Sequence, residues 1–531
     1  MSADTLGALL AEHVATRPQA PALHYQGEAL SYAGLADRVA RVAQGLSAAG
    51  IGAGDRVGLW LPNTPAYLVL NLALARIGAI ALAVNTRFRS VEVADIVGRS
   101  GARALVLWPG FHGIDFLAVL ADVDPAALAH VETLVLYDEG EPARSVPAAV
   151  GHCRRIAYRE LEASPPGNLD RSGADVGCNL FTTSGTTKAP KFVLHTQGSL
   201  SRHGRAVARA FGYVGAQGAA MQVLPLCGVF GHSQAMASFA GGRPMVLMST
   251  WDPAAALTLI DRYDVRHMNA SDEMLAGLLA ACPRPEAFPR MGPIGFASFT
   301  GNPELALTQA ARRGLTLVGL YGMSEVQALY ARQPVDAPAA RRALGGGLPV
   351  SSAARARARD PQTGEVLPHG QAGELELAGP SLMREYFGNP WATCETLLAD
   401  GFLRTGDLGY TTGDGGFVYL SRMGDVLRLG GFLVSPVEIE SHLETHAAVA
   451  GAQVVGVVTA EGPRAVAFVV LRPGQTADET ALRAHCLAGL AKYKAPVRFV
   501  PLPEFPSTKS ANGTKIQRGR LREMAKEVLS G

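Results

Sequence analysis

From Thr182 to Thr187 every residue is hydroxylic or glycine, within the run Phe181-Thr-Thr-Ser-Gly-Thr-Thr-Lys-Ala-Pro-Lys-Phe-Val-Leu-His-Thr196. Small residues let backbone N–H groups turn outward beside side-chain hydroxyls, and such a concavity attracts anions. Thr183, Ser184, Gly185, Thr186 and Thr187 therefore offer donors to one anion, while Lys188 and Lys191 add positive charge. That is how a loop holds a polyphosphate. It is not the Walker pattern, because no glycine precedes at the required spacing and no Gly-Lys-Ser/Thr closes the run. Read alone, the same residues also make an ordinary Ser/Thr-rich surface turn.

Further blocks follow in order: Gly301-Asn302-Pro303, then Leu320-Tyr321-Gly322-Met323-Ser324-Glu325, then Leu403-Arg404-Thr405-Gly406-Asp407. After these come Arg422 with Asp425 and Gly430-Gly431, the run Pro436-Val-Glu-Ile-Glu440, and Asn512-Gly513-Thr514-Lys515-Ile516. Singly, Asp407 reads as a turn residue, Glu325 as a carboxylate near a helix N-terminus, and Lys515 as a solvated tail lysine. Together and in this order, with Gly54-Asp55-Arg56-Val57 and Pro62-Asn63 upstream, they resemble the adenylate-forming superfamily. That group holds acyl-CoA synthetases, aryl-CoA ligases, luciferases and peptide-synthetase adenylation domains. The resemblance covers nearly the whole chain. It departs from the usual signature Thr-Ser-Gly-Thr-Thr-Gly-x-Pro-Lys-Gly at Lys188 and Phe192, which stand for two glycines and imply a stiffer, more cationic loop.

The resemblance implies an ATP-dependent acid–CoA ligase, with ATP, Mg²⁺ and coenzyme A and a small-molecule carboxylic acid as its partners. Adenylation joins two anions, so cations and N–H donors must converge on the phosphates. By resemblance the hydroxyls from Thr183 to Thr187, with Lys188 and Lys191, grip the phosphates. Glu325 is the catalytic carboxylate and the metal ligand for Mg²⁺, which takes one or two protein carboxylates. Tyr321 offers a flat face to adenine, with Gly301, Asn302, Pro303, Gly322, Met323, Ser324 and Tyr419 around the nucleotide. Asp407 accepts from both ribose hydroxyls, beside Arg422. Lys515, on a mobile loop, reaches the substrate carboxylate and the α-phosphate. In the second half-reaction the C-terminal unit swings and brings Gly430 and Gly431 to the site for thiol attack. The pivot position holds Gly424, which turns freely.

The elements that must position these residues follow from composition and periodicity. At 531 residues the chain exceeds one ordinary core, and a rule of about 150 residues per unit gives roughly three to four folding units. Hydrophobic residues make up 48% and charged residues 18%, with net charge +2. That composition is globular, and its charge gives a nucleic-acid or membrane-surface role no support. Six scattered cysteines without a Cys-x-x-Cys pair read as reduced thiols of a cytoplasmic protein. The N-terminus lacks signal-peptide character. Tyr67 to Val84, interrupted by Asn71 and Arg76, reads as a buried helix and strand rather than a membrane span. A homodimer stays open.

Helix and strand patterns alternate from the start. Leu6 to Ala15 is amphipathic, Ala22 to Ser31 holds a short hairpin, and Ser31 caps a helix carrying Leu35, Val39, Val42 and Leu46. Strands are expected at Val57–Leu61, Ile80–Val84, Ala104–Trp108, Thr133–Tyr137, Met221–Leu226, Pro244–Met248 and Leu315–Leu320. This grammar is α/β, with a mostly parallel sheet. The full expectation is a large N-terminal domain, residues 1–423, of stacked αβ sheets with a distorted β-barrel subdomain. A small mobile α+β C-terminal domain, residues 424–531, completes it, with strands at Gly451–Val458 and Ala465–Leu471.

The acceptor is expected to be coenzyme A, since Gly531 follows soon after the lysine loop and leaves no room for a fused carrier domain. The rivals are a freestanding adenylating enzyme that loads a carrier protein, a luciferase-like oxygenase, and a non-catalytic nucleotide-binding homologue. Against the first rival, Val229-Phe230-Gly231 lacks the aspartate that meets an α-ammonium group. Cys227-Gly228 stand where the family has an aromatic-His pair, and polar Ser271-Asp272 replace Val-Pro. That pair suggests a polar acid or a plain helix cap.

Overall fold

The structure is a computed structural model that describes residues 4–140, 144–183, 190–215, 217–282, 284–285, 287–297, 303–429, 432–459, 462–476, 478–490, 492–510 and 513–530. Local chemistry sets the elements much as the pattern predicts. Ser31 Oγ accepts from Gly34 N at 3.1 Å and starts the helix Tyr32–Ala48, whose Leu35, Val39, Val42 and Leu46 are buried. The apolar segment becomes the helix Pro65–Ile77, ended by Gly78 at φ 74°, and then the strand Ile80–Ala83.

That helix is buried nearly all round. Its two interrupting polar residues both find partners, although Asn71 Nδ2 is left without one among the described residues. Asn179 Nδ2 donates to Asn71 Oδ1 at 2.7 Å, and Arg76 donates to the carbonyls of Leu169 and Gly167. Among the described residues no helix is long and apolar enough to cross a membrane.

Three sheets build the large part of the molecule. A five-stranded sheet runs in the spatial order Val265–His267, Ala219–Gln222, Met245–Leu247, Pro21–Tyr25, Glu28–Ser31. An eight-stranded sheet runs Glu385–Tyr386, Phe192–Thr196, Gly177–Thr182, Ile80–Ala83, Arg56–Trp60, Ala104–Leu107, Thr133–Leu136, Arg154–Ala157. Its strands are parallel from Gly177–Thr182 to Arg154–Ala157, while Phe192–Thr196 and Glu385–Tyr386 add an antiparallel edge. The largest core joins residues of these two sheets, among them Leu23, Val57, Val106 and Met245, across the helix Pro65–Ile77.

The third sheet has nine strands, beginning with the parallel trio Asn269–Ser271, Ile294–Ala297 and Leu317–Tyr321. It continues as an antiparallel run through Gly346–Pro349, Phe417–Arg422, Leu403–Thr411, Gly373–Ala378 and Arg355–Arg359, where the distorted barrel is expected. Inside that run the fully buried Glu376 is held by Arg357 and by Arg359.

The C-terminal part has its own three-stranded sheet, Val449–Thr459, Gly462–Leu471 and Arg498–Pro501. The helices Pro436–Glu444 and Glu479–Gly489 share one of its cores, and Arg518–Ser530 reaches another. All six cysteines are free thiols.

One strand stops short. Pairing covers Ala219–Gln222, not the expected Met221–Leu226. Asn63 Nδ2 lies 3.2, 3.3 and 3.1 Å from the carbonyls of Gln222, Val223 and Leu224, and its Oδ1 accepts from Leu226 N at 2.8 Å. One buried side chain satisfies these backbone groups, so the chain can leave the ladder there.

Candidate active site

The loop that opens the sequence argument leaves the strand Gly177–Thr182 and returns as Phe192–Thr196. Thr183 N donates to Lys191 O at 3.0 Å, and Lys191 N donates to Thr183 Oγ1 at 3.1 Å, which closes its base. Ser184, Gly185, Thr186, Thr187 and Lys188 lie outside the described residues, as do Gly301, Asn302, Gly430 and Gly431. Pro303 begins the helix Pro303–Ala311.

Phe192, one of the two departures from the usual signature, is buried. The Arg99 guanidinium lies 4.7 Å from its ring centroid and donates to Pro190 O at 2.8 Å, while Asp95 holds its other edge. The end of the loop is thus pinned to the helix Ser90–Ser100.

Glu325 lies in the short 3₁₀ turn Ser324–Val326 after the strand Leu317–Tyr321 and is 5% exposed. Tyr386 Oη donates to Glu325 Oε1 at 2.6 Å, and Met383 N donates to the Glu325 carbonyl at 2.7 Å. The backbone after it is strained, with Gln327 at φ 62° and Ala328 at φ 58°. Buried side chains hold that turn by its carbonyls. His195 Nε2 donates to Ser324 O at 2.8 Å, and Gln327 O accepts from Ser233 Oγ at 2.6 Å and His203 Nε2 at 3.1 Å. Burial pushes His195 down to about 4 and His203 to about 3, so both are neutral single donors at pH 7. The turn also folds Ala328 O over Gly322, where a Cβ would sit only 1.2 Å from that oxygen. Only glycine fits.

Asp407 sits in the strand Leu403–Thr411, in register with Arg422 on Phe417–Arg422, and is 2% exposed. Tyr321 Oη donates to Asp407 Oδ2 at 2.6 Å, and Arg422 Nε is 3.1 Å from Oδ1. Burial pushes the Asp407 carboxyl up to about 6, against the pull of Arg422 and the Tyr321 hydroxyl; the Glu325 charge adds to the rise. Oδ1 accepts no hydrogen bond among the described residues. The Tyr321 ring is edge-on to Phe417 and lies 5.7 Å from Tyr419.

At the proposed pivot, Met423 N donates to Gly406 O at 2.8 Å, on the large-domain side. Arg522, from the C-terminal helix, donates to Gly424 O at 2.8 Å and pairs with Asp425. Arg518 grips buried Glu440 at 2.7 and 2.9 Å. Lys515 lies in the strand Gly513–Ile516, opposite Thr508, with only its backbone described.

The structure thus brings Tyr321, Asp407 and Arg422 into one contact group, and links Glu325 to Lys191 through Tyr386. Lys191 Nζ lies 4.4 Å from the Tyr386 ring centroid. Tyr386 escaped the sequence reading, since it sits in a two-residue strand with no motif spacing to mark it. Ser271 turns out to be spent locally as the cap of Asp272–Ala281, with Oγ 3.4 Å from Met274 N. It therefore lends no support to a polar acid.

The set fits a nucleotide with a divalent cation. Asp407 Oδ1 faces Arg422 but accepts no hydrogen bond among the described residues, which leaves it an acceptor for a hydroxyl, and Glu325 presents a buried carboxylate held at Oε1 by Tyr386. Among the described residues no group of three or more His, Cys, Asp or Glu could hold a metal, so Glu325 is the carboxylate at hand.

Known proteins share this arrangement of chain. Residues 10–387 match the AMP-binding enzyme family, and residues 438–512 match the AMP-binding enzyme C-terminal domain. The sulfoacetate–CoA ligase of Cupriavidus necator is 32% identical over 98% of this chain and 97% of its own. A feruloyl-CoA synthase of Amycolatopsis is 30% identical over 95% of this chain and 96% of its own. Among solved structures, ATP-bound MatB from Rhodopseudomonas palustris superposes with TM-score 0.83 at 25% identity, covering 98% of this chain and 99% of that one. The o-succinylbenzoate CoA synthetase of Bacillus subtilis, with ATP and a magnesium ion, gives TM-score 0.78 at 26% identity, covering 97% and 98%.

Proposed function

The chain belongs to the AMP-binding enzyme family and is an AMP-forming acid–CoA ligase, and from that premise we propose that two half-reactions share the site described above. In the first, a carboxylate oxygen of the acid attacks the α-phosphorus of ATP, the bond to the bridging oxygen breaks, and pyrophosphate leaves. In the second, the thiol of coenzyme A attacks the acyl carbon and AMP leaves.

Each residue has a task derived from its chemistry. Thr183 to Thr187, Lys188 and Lys191 hold the phosphates with hydroxyls, N–H groups and positive charge. Glu325 holds Mg²⁺, which when bound neutralises phosphate charge as a Lewis acid. Asp407 takes a ribose hydroxyl on Oδ1, which accepts no hydrogen bond among the described residues, and Arg422 beside it favours the charged carboxylate. Tyr321 and Tyr419 form an aromatic wall for adenine with Gly301, Asn302, Pro303, Gly322, Met323 and Ser324 around it. Lys515 carries positive charge to the acid and the α-phosphate as charge builds there.

The two domains, 1–423 and 424–531, meet at Gly424. Met423 is bonded to the large domain and Gly424 O to the C-terminal helix, and rotation about Gly424 must break the bonds from Asp425 N and Val426 N to Arg422 O that span it. Rotation withdraws Lys515 and brings Gly430 and Gly431 to the acyl-adenylate.

The observation that carries this reading is the Tyr321–Asp407–Arg422 group, in which a buried carboxylate is held by a hydroxyl and a guanidinium. The test is pyrophosphate release screened over short, aromatic, long-chain and dicarboxylic acids, with and without coenzyme A. One acid class should stimulate release, and an acyl-CoA should form only when coenzyme A is present. Release unmoved by every acid refutes the reading. A thioester formed only on a carrier protein transfers it to the freestanding adenylating class.

A further inference from the structure

Tyr386 joins two groups assigned to opposite tasks. Its hydroxyl lies 2.6 Å from Glu325 Oε1, and its ring centroid lies 4.4 Å from Lys191 Nζ. The residue is 4% exposed. A buried tyrosine hydroxyl needs a partner, and here the partner is the carboxylate assigned to the metal.

The backbone around Tyr386 is fixed from three sides. Tyr386 pairs antiparallel with Val193, with Arg384 N donating to Leu194 O and Phe387 N to Phe192 O, both at 2.8 Å. Tyr386 N donates to Thr393 Oγ1 at 3.0 Å. Three residues earlier, Met383 N donates to the Glu325 carbonyl. One short segment therefore registers the strand that leaves the phosphate loop against the turn that carries Glu325.

We infer that Tyr386 is a positioning residue for the metal–triphosphate end of the site, its hydroxyl orienting the Glu325 carboxylate and its ring face seating the Lys191 ammonium. The inference rests on the reading of Glu325 and Lys191 proposed above. A carboxylate has about four lone-pair sites, so the bond to Oε1 leaves Oε2 for a cation. Without the hydroxyl, the carboxylate must be ordered when the cation binds. The ring contact is a cation–π interaction and survives removal of the hydroxyl.

These two roles separate by mutation. The full-length protein is loaded with a non-hydrolysable ATP analogue and titrated with Mn²⁺, bound metal being read by electron paramagnetic resonance. Analogue affinity without metal is measured by calorimetry. Tyr386→Phe should weaken Mn²⁺ binding about tenfold, the effect of losing a hydrogen bond to a charged group, and leave metal-free analogue affinity unchanged. Tyr386→Leu should weaken both. In a Glu325→Gln background, Tyr386→Phe should cost nothing further.

Unchanged or tighter Mn²⁺ binding by Tyr386→Phe, with Glu325→Gln weakened, overturns the inference. So does a Tyr386→Phe protein that melts far below wild type and binds no nucleotide, since that is a packing role. If Glu325→Gln itself leaves Mn²⁺ affinity intact, the assignment of Glu325 falls instead.

Discussion

Replacing Asp407 with asparagine should stabilise the nucleotide-free protein while disabling it. The carboxyl is 2% exposed and is pushed from 3.8 up to about 6, chiefly by burial. That rise already includes the favourable pull of Arg422 and Tyr321. For a carboxyl whose pKa is higher folded than unfolded, the fold disfavours the charged form. Its contribution to stability is complete below the unfolded value and is lost as pH rises through about 6. A rise of this size corresponds to roughly 3 kcal/mol once pH is well above 6, and the difference fades as pH falls toward the unfolded value. Asparagine removes this dependence and still accepts from Tyr321 with its amide oxygen. Melting temperatures of wild type and Asp407→Asn, compared from pH 4 to pH 8, should nearly coincide at the acid end and diverge through pH 6 in the variant's favour. ATP–pyrophosphate exchange at pH 8 should fall roughly tenfold to a hundredfold, as when a buried charged hydrogen bond is lost. A melting difference flat in pH, or a variant less stable than wild type at pH 8, would refute the claim that burial dominates at Asp407.

Three other outcomes are expected, the last two from described contacts. Lys515→Ala should abolish adenylate formation yet spare thioester formation from supplied acyl-adenylate; equal loss of both half-reactions contradicts domain rotation. Gly322→Ala should unfold or inactivate the protein, because its Cβ would lie 1.2 Å from Ala328 O, a clash that backbone must relieve at a cost of several kcal/mol, roughly; a melting curve like wild type counts against that geometry. His203 is held down to about 3 by burial, so its stability contribution is complete above 6.5 and is lost as pH falls, at roughly 1.4 kcal/mol per unit. His203→Gln should flatten the acid loss of melting temperature between pH 6.5 and pH 4, and an unaltered slope excludes this residue as its source.

Most helices and strands were legible because apolar spacing and caps are local signals, as at Ser31 or in the buried helix Pro65–Ile77. The strand after Ala219 was misjudged in extent because Asn63, about 160 residues away in sequence, takes its carbonyls. The same distance in sequence hid Tyr386. Its task is defined by a carboxylate 61 residues away, and its strand is too short for any periodicity. The buried donors His195, His203 and Ser233 read as unremarkable in sequence because their partners are carbonyls, which leave no trace in residue type. Short motifs single out Asp407 and Glu325 in the sequence, yet the hydroxyl that Tyr321 gives to Asp407 leaves no such mark.

The two-residue strand Glu385–Tyr386 also bears on how the chain reaches this state. It covers the outer side of Phe192–Thr196, the strand that leaves the phosphate loop. During synthesis the hairpin of Gly177–Thr182 and Phe192–Thr196 can form from neighbouring residues, but its free edge waits for nearly two hundred more. Until then a row of backbone donors and acceptors on an apolar strand stays open to any other extended segment, another nascent chain included. The same two residues close that edge and bring a hydroxyl to the Glu325 carboxylate. Chains released before Glu385 therefore lack the partner of the Glu325 carboxylate and keep a strand edge open to pairing.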